Sequence, residues 1–121
     1  MSAPVWIAVG LVGGFGALLR FLVDGLIAAR LGHDFPLGTF VVNMTGAVVL
    51  GLLVGLGLGG DRLLLAGTAT IGSYTTFSTW MLESQRLVED GEFVLAAGNV
   101  LLSLLVGLGA VGLGRFIGTH L

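Results

Sequence analysis

The 121-residue chain has no cysteine, and none of its five basic residues is a lysine. Without thiols there are no disulfides and no thiolate metal sites, and cysteine usage leaves the redox compartment open. Charged residues make up only 10% of the sequence against 55% hydrophobic, and mean hydropathy is +1.06. A chain so poor in charge lacks the surface of a soluble domain. The two histidines, His33 and His120, fall in a loop and in the tail, where two surface histidines are the simple reading. No basic patch is present for nucleic acid. No nucleophile–base pair, phosphate loop or metal cluster is present either, so the chain is not expected to be an enzyme.

What is present is apolar sequence in long pieces. Four segments carry no charge: Pro4–Leu19, Phe35–Gly60, Leu63–Leu82 and Phe93–Gly114. Crossing a bilayer takes roughly 17–25 apolar residues. The last three qualify outright, and the first continues past Arg20 and Asp24 to about Ala29. The chain is therefore expected to be one all-α integral membrane domain over residues 1–121, with four transmembrane helices. The N-terminus has no basic leader region or small-residue cleavage site, so the first segment is expected to be a retained helix.

Placing four spans puts Arg62 and Arg115 on one side of the membrane. Arg30 and Arg86, with Arg20 if it lies near that end, fall on the other. Orientation follows Lys/Arg asymmetry in short loops, and two against three is almost no asymmetry. That balance suits a dual-topology protein that inserts both ways and pairs antiparallel with itself. Four small helices cannot easily enclose a pore alone, which also argues for an oligomer. Gly10/Gly14, Gly51/Gly55/Gly59 and Gly114/Gly118 repeat at four-residue spacing, which lets helices approach closely in lipid.

The third span is polar where it should be most apolar. Gly72-Ser-Tyr-Thr-Thr-Phe-Ser-Thr-Trp80 places five Ser/Thr hydroxyls among the seven positions after the glycine, with Phe77 and Trp80 three apart. In hydrocarbon, irregular backbone is tolerated only when buried in protein or lining a polar cavity. Interrupted helices of this kind build ion sites in transporters from freed carbonyls and half-helix ends. A helix broken near Gly72, at mid-membrane, is expected.

Other polar residues are few. Arg20 and Asp24 are one turn apart on the first span and can face each other; Arg20 is either an interfacial arginine paired with Asp24 or a positive charge at the mouth of an anion path. Asn43 is the only amide in the second span, with Thr39 one turn earlier. It reads either as interhelical glue or as an N–H donor to an anion. Asn99 and Ser103 lie four apart on the last span, a stripe that Gly107 continues, for packing or as a hydrogen-bonding track. Glu83 reads as an exposed helix end. No acid lies inside the second to fourth spans, where a cation path would call for carboxylates or ordered carbonyls. Neutral donors and the positive edges of aromatic rings lean towards a small anion.

Gly13–Arg20, Gly38–Gly46 and Gly72–Trp80 together resemble the three signatures of the Fluc (CrcB) family of fluoride channels. The resemblance covers essentially the whole chain. It implies an antiparallel homodimer with two pores that exports fluoride passively across a microbial plasma membrane. It implies that Asn43 donates to fluoride and that Phe77 is the first ring of an aromatic pair. Trp80 stands at the second ring, where the family more usually has Phe, and its indole N–H could donate instead. The resemblance further implies that backbone carbonyls of Gly72 and Thr75 from both subunits hold a structural sodium ion. Arg20 would serve the vestibule, and Thr39, Asn99 and Ser103 would extend the polar path, although relatives can carry Tyr at the position of Asn99 and Ser at that of Gly107. A small four-helix dual-topology exporter of cationic drugs is the other reading. It requires a membrane-embedded carboxylate, and the chain offers only Asp24 beside Arg20 and the peripheral Glu83.

Overall fold

The computed structural model describes residues 2–32 and 34–121, and His33 lies outside the described residues. All regular structure within them is helical. Helix α1 (Ala3–Leu31) starts with Pro4 in its first turn and closes at Gly32, whose φ of 85° only glycine adopts freely. Helix α2 (Leu37–Gly55) follows Pro36. A short helix α3 (Gly60–Leu63) then opens into a π-helical segment, Leu64–Ile71, which passes into the single turn of α4 (Gly72–Tyr74). Helix α5 (Ser78–Glu89) and the long α6 (Phe93–Thr119) complete the chain.

Helices α1, α2 and α6 are each long and apolar enough to cross a membrane. The fourth expected span is the run from α3 to α5, bent and interrupted. Leu, Phe and Val side chains cover the outer faces of α1 and α6, and Val42 and Asn99 are the largest fully buried side chains. That pattern suits lipid as the surrounding solvent, and it fits a multi-pass membrane protein.

The break falls at the far end of the expected Gly72–Thr75 stretch. Gly72 is helical, with φ −61° and ψ −36°, so its special backbone freedom is unused. The chain leaves the helix at Thr75, which is extended with φ −78° and ψ 160°. Hydroxyl competition for backbone partners, rather than glycine, makes this interruption.

Helices α2 and α6 pack backbone to backbone along a glycine seam. A Cβ on Gly51 or Gly55 would collide with the carbonyls of Val111 or Arg115, and one on Gly114 or Gly118 with those of Val48 or Leu52. The expected repeats thus resolve unequally, because Gly10, Gly14 and Gly59 have no neighbour within 4 Å of an added Cβ. Gly16 on α1 lies equally close to the Thr70 carbonyl and the Ser73 hydroxyl, seating α1 on the π-helical segment.

Gly114→Val forces two main chains apart with no flexible side chain to yield. It is expected to cost at least the roughly 1–3 kcal/mol of ordinary overpacking, whereas Gly10→Ala leaves the protomer's stability unchanged. Thermal unfolding of both variants in detergent measures the difference.

Candidate functional site

The site forms where α2 passes the interruption. Asn43, half-buried on α2, is paired twice with the peptide group of Thr76. Its Nδ2 donates to the Thr76 carbonyl at 2.9 Å, and its Oδ1 accepts the Thr76 N–H at 2.8 Å. The side-chain amide therefore replaces helical partners that Thr76 has lost, and one Nδ2 hydrogen remains unspent. Both readings of Asn43 are compatible with this geometry.

The same diversion frees carbonyls. In an unbroken helix the Thr76 N–H would bond to the carbonyl of Gly72, and that of Thr79 to the carbonyl of Thr75. Here Thr76 N–H turns to Asn43, and Thr79 N–H turns to the Thr76 hydroxyl at 3.2 Å. Gly72 and Thr75 thus present carbonyls released from the ladder. The Thr75 side chain is occupied elsewhere, its hydroxyl donating to the Ile71 carbonyl and its methyl lying against Gly46.

Beyond the break, Phe77 and Trp80 meet edge to face, with centroids 5.6 Å apart and planes at 79°. Phe77 is 70% exposed. Asn43 and Trp80 line two cavities in common. One, of about 440 Å³, also borders Gly72, Thr75 and Phe77; the other, of about 290 Å³, borders Met44, Ser103 and Gly107. The structure thus brings together Asn43, Phe77, Trp80 and Ser103, and Gly107 extends the Ser103 side.

Asn99 is set apart from that group. Its Nδ2 donates to Ser84 Oγ at 2.8 Å, and its main-chain carbonyl accepts the Trp80 indole N–H at 3.0 Å. The indole N–H expected as a donor to the anion is consequently spent on α6. Arg20 shares a small cavity with Asp24, Thr39, Val42, Thr76 and Thr79, and its Nε is buried without a hydrogen-bond partner. Arg20 thus puts a positive charge next to the break. Thr39 donates its hydroxyl to Glu83. Glu83 in turn borders an outer pocket of about 630 Å³ with Asp34, Arg86, Asp90 and Glu92. The reading of Glu83 as an exposed helix end needs amendment, since the bond to Thr39 ties it to α2.

Sequence reasoning missed Thr76, Ser84 and Glu83. Their partners are 33, 15 and 44 residues away, and no local spacing announces them. Thr76 was the most accessible of the three, as a hydroxyl residue within the polar run opposite a lone amide.

Fold and site together define a multi-pass helical membrane protein with a polar interruption lined by neutral donors and aromatic edges. Comparison with known sequences agrees with that class. Residues 7–115 match the family model described as CrcB-like protein, Camphor Resistance (CrcB). A relative from Mycobacterium bovis named fluoride-specific ion channel FluC 2 is 54% identical, covering 97% of this chain and 93% of its own. FluC 1 of Nocardia farcinica is 46% identical over 91% of this chain and 78% of its own. FluC of Geobacter metallireducens is 42% identical over 95% and 97%. The chain belongs to the CrcB family.

Removing the Asn43 amide strands both polar groups of the Thr76 peptide. Asn43→Ala is expected to lower stability by about 1–3 kcal/mol. Asn43→Asp is expected to do no better while ionised, because a carboxylate oxygen would face the Thr76 carbonyl. Melting temperatures of the two variants in detergent check both statements.

Proposed function

We propose that this chain is a passive fluoride channel rather than an enzyme, working in a bacterial plasma membrane as an antiparallel, dual-topology homodimer with two pores. The observation that carries the reading is the juxtaposition of Asn43 with the crossed rings of Phe77 and Trp80 along one cavity. Fluoride is small and strongly hydrated, so a path must supply compact donors in place of water. The free Nδ2 hydrogen of Asn43, the positive ring edges and the Ser103 hydroxyl are such donors. The relatives' names, at up to 54% identity over nearly the full length, point the same way.

In this reading Arg20 draws the anion in, Thr39 stands one turn before Asn43 on the approach, and Ser103 continues the path beyond it. Asn99 acts from behind Trp80. The fourth span is the interrupted run, and the near-even arginine distribution allows both orientations. The antiparallel partner would place a second pair of Gly72 and Thr75 carbonyls opposite the first. Four freed carbonyl oxygens suit a small hard cation, so a sodium ion held there would stabilise the dimer without travelling. The released carbonyls fit such an ion, and the thiol-free, carboxylate-free break would hold little else.

Fluoride efflux from liposomes containing the purified chain alone is the direct test. Asn43→Ala is expected to lower that efflux by about ten- to a hundredfold, the worth of a hydrogen bond to a charged group. Wild-type efflux from this variant would remove Asn43 from the pore.

The sodium and topology readings are tested separately. Replacing sodium with potassium should lower dimer melting temperature and flux, as should Gly72→Val, whose side chain has room in one protomer but would crowd the proposed two-fold, whereas Thr75→Ala should leave the ion requirement in place because only its carbonyl is used. No response of either quantity to the cation would remove sodium from the assembly. Two lysines added to one terminus should silence the chain expressed alone. Activity should return on co-expression with an oppositely biased variant.

A further inference from the structure

We propose that Ser84 and Asn99 are positioning residues. They clamp Trp80 so that the ion meets a carbon edge of the indole and never its N–H. The proposal rests on the reading that fluoride passes Phe77 and Trp80.

Three hydrogen bonds form a closed circuit around Trp80. Its indole N–H donates to the main-chain carbonyl of Asn99 at 3.0 Å, the Asn99 side-chain amide donates to Ser84 Oγ at 2.8 Å, and the Ser84 hydroxyl donates to the main-chain carbonyl of Trp80 at 2.9 Å. The circuit runs from the tip of the ring, through α6, back to the main chain beneath the same ring. An indole carries one N–H and no acceptor, so that donor is fully used. Asn99 is 1% exposed and Ser84 7%, so water cannot readily replace a lost link. Neither residue borders the two cavities that Trp80 lines with Asn43. Both therefore act on the path only through the ring.

A clamp of this kind answers a problem that a smaller ring would not pose. Indole is larger and asymmetric, and rotation about its side-chain torsions would bring different edges to Phe77. The bond at Nε1 fixes one end of the ring on α6, so the N–H edge is turned to that helix while Phe77 crosses the ring at 79°. The positive edge is the part an anion favours.

The test uses the full chain in liposomes, with fluoride and chloride efflux measured in parallel, and fluorescence anisotropy in a Trp6→Phe background where Trp80 is the remaining indole. Ser84→Ala is expected to lower fluoride efflux by about tenfold, the equivalent of one lost hydrogen bond. It should also raise chloride leak relative to fluoride and lower Trp80 anisotropy. Ser84→Thr keeps the hydroxyl and should restore all three. In a Trp80→Phe background, Ser84→Ala should have no further effect on fluoride efflux or on the chloride leak, because its one route to the path has been removed. Equal Ser84→Ala effects with and without Trp80 would overturn the proposal. So would unchanged anisotropy in Ser84→Ala. If that variant does not fold, Asn99→Ala breaks the same link from its other side, and unchanged Trp80 anisotropy in it would overturn the proposal. If the parent chain moves no fluoride, the channel reading fails, while anisotropy continues to report on the clamp.

Discussion

The amide of Asn43 stands in for backbone that the chain gives up at Thr76. Its two bonds, at 2.9 and 2.8 Å, satisfy a peptide group that has left the helical ladder inside an apolar run. An amide is the side chain best suited to this, because it offers a donor and an acceptor in the same plane as a peptide does. Remove it, and the Thr76 peptide must find water or collapse into the helix. Either outcome displaces the Gly72 and Thr75 carbonyls and the start of α5, and with α5 the two rings. The position of every other candidate residue is therefore set against this pair.

The pair works only because α2 is held in register against its neighbours. The seam of Gly51, Gly55, Gly114 and Gly118 brings the main chains of α2 and α6 together without intervening side chains. Close approach of this kind fixes sliding as well as distance, since each glycine faces a particular carbonyl. It places Ser103 beside the same cavity as Asn43. On the other flank, Gly46 receives the Thr75 methyl at the break itself, and Gly38 receives the Asp24 carboxylate at the start of α2. A polar centre in a membrane protein is thus located by small residues that have no chemistry of their own.

Much of this was legible in the residues. The uncharged segments locate α1, α2 and α6, and the hydroxyl-rich stretch announces an interrupted helix, because composition and length suffice for both. Asn43 stood out as the lone amide of its span. The break falls within the Gly72–Thr75 stretch, but glycine, the usual signal for a chain leaving its helix, does not make it: Gly72 stays helical and Thr75 leaves with an ordinary extended backbone. The π-helical segment Leu64–Ile71 left no trace in the sequence. Its wider turn is built of i→i+5 backbone bonds, to which the Thr70 hydroxyl adds one to the Leu65 carbonyl at 2.7 Å, and apolar spacing does not encode them. Asn99 and Ser103 fell on one predicted stripe yet serve different neighbours, because side-chain direction at a helix contact depends on the facing helix. The Trp80, Asn99 and Ser84 circuit was out of reach for the same reason.

The interruption also explains why one chain is an incomplete object in lipid. Phe77, Gly72 and Ser78 are exposed on the protomer, next to carbonyls whose helical donors have been redirected. Hydrocarbon cannot satisfy those oxygens, and each left bare costs several kcal/mol. Broken backbone at this depth is stable only against more protein, a bound ion or a watery cavity. The proposed antiparallel copy with its sodium supplies the first two, and the proposed pores supply the third. A helix that stayed intact would need none of them, and it would offer an anion neither a turned-out amide nor a crossed pair of rings. The same departure from helical bonding that leaves those oxygens bare in lipid would, in the proposed channel, make room for the ion.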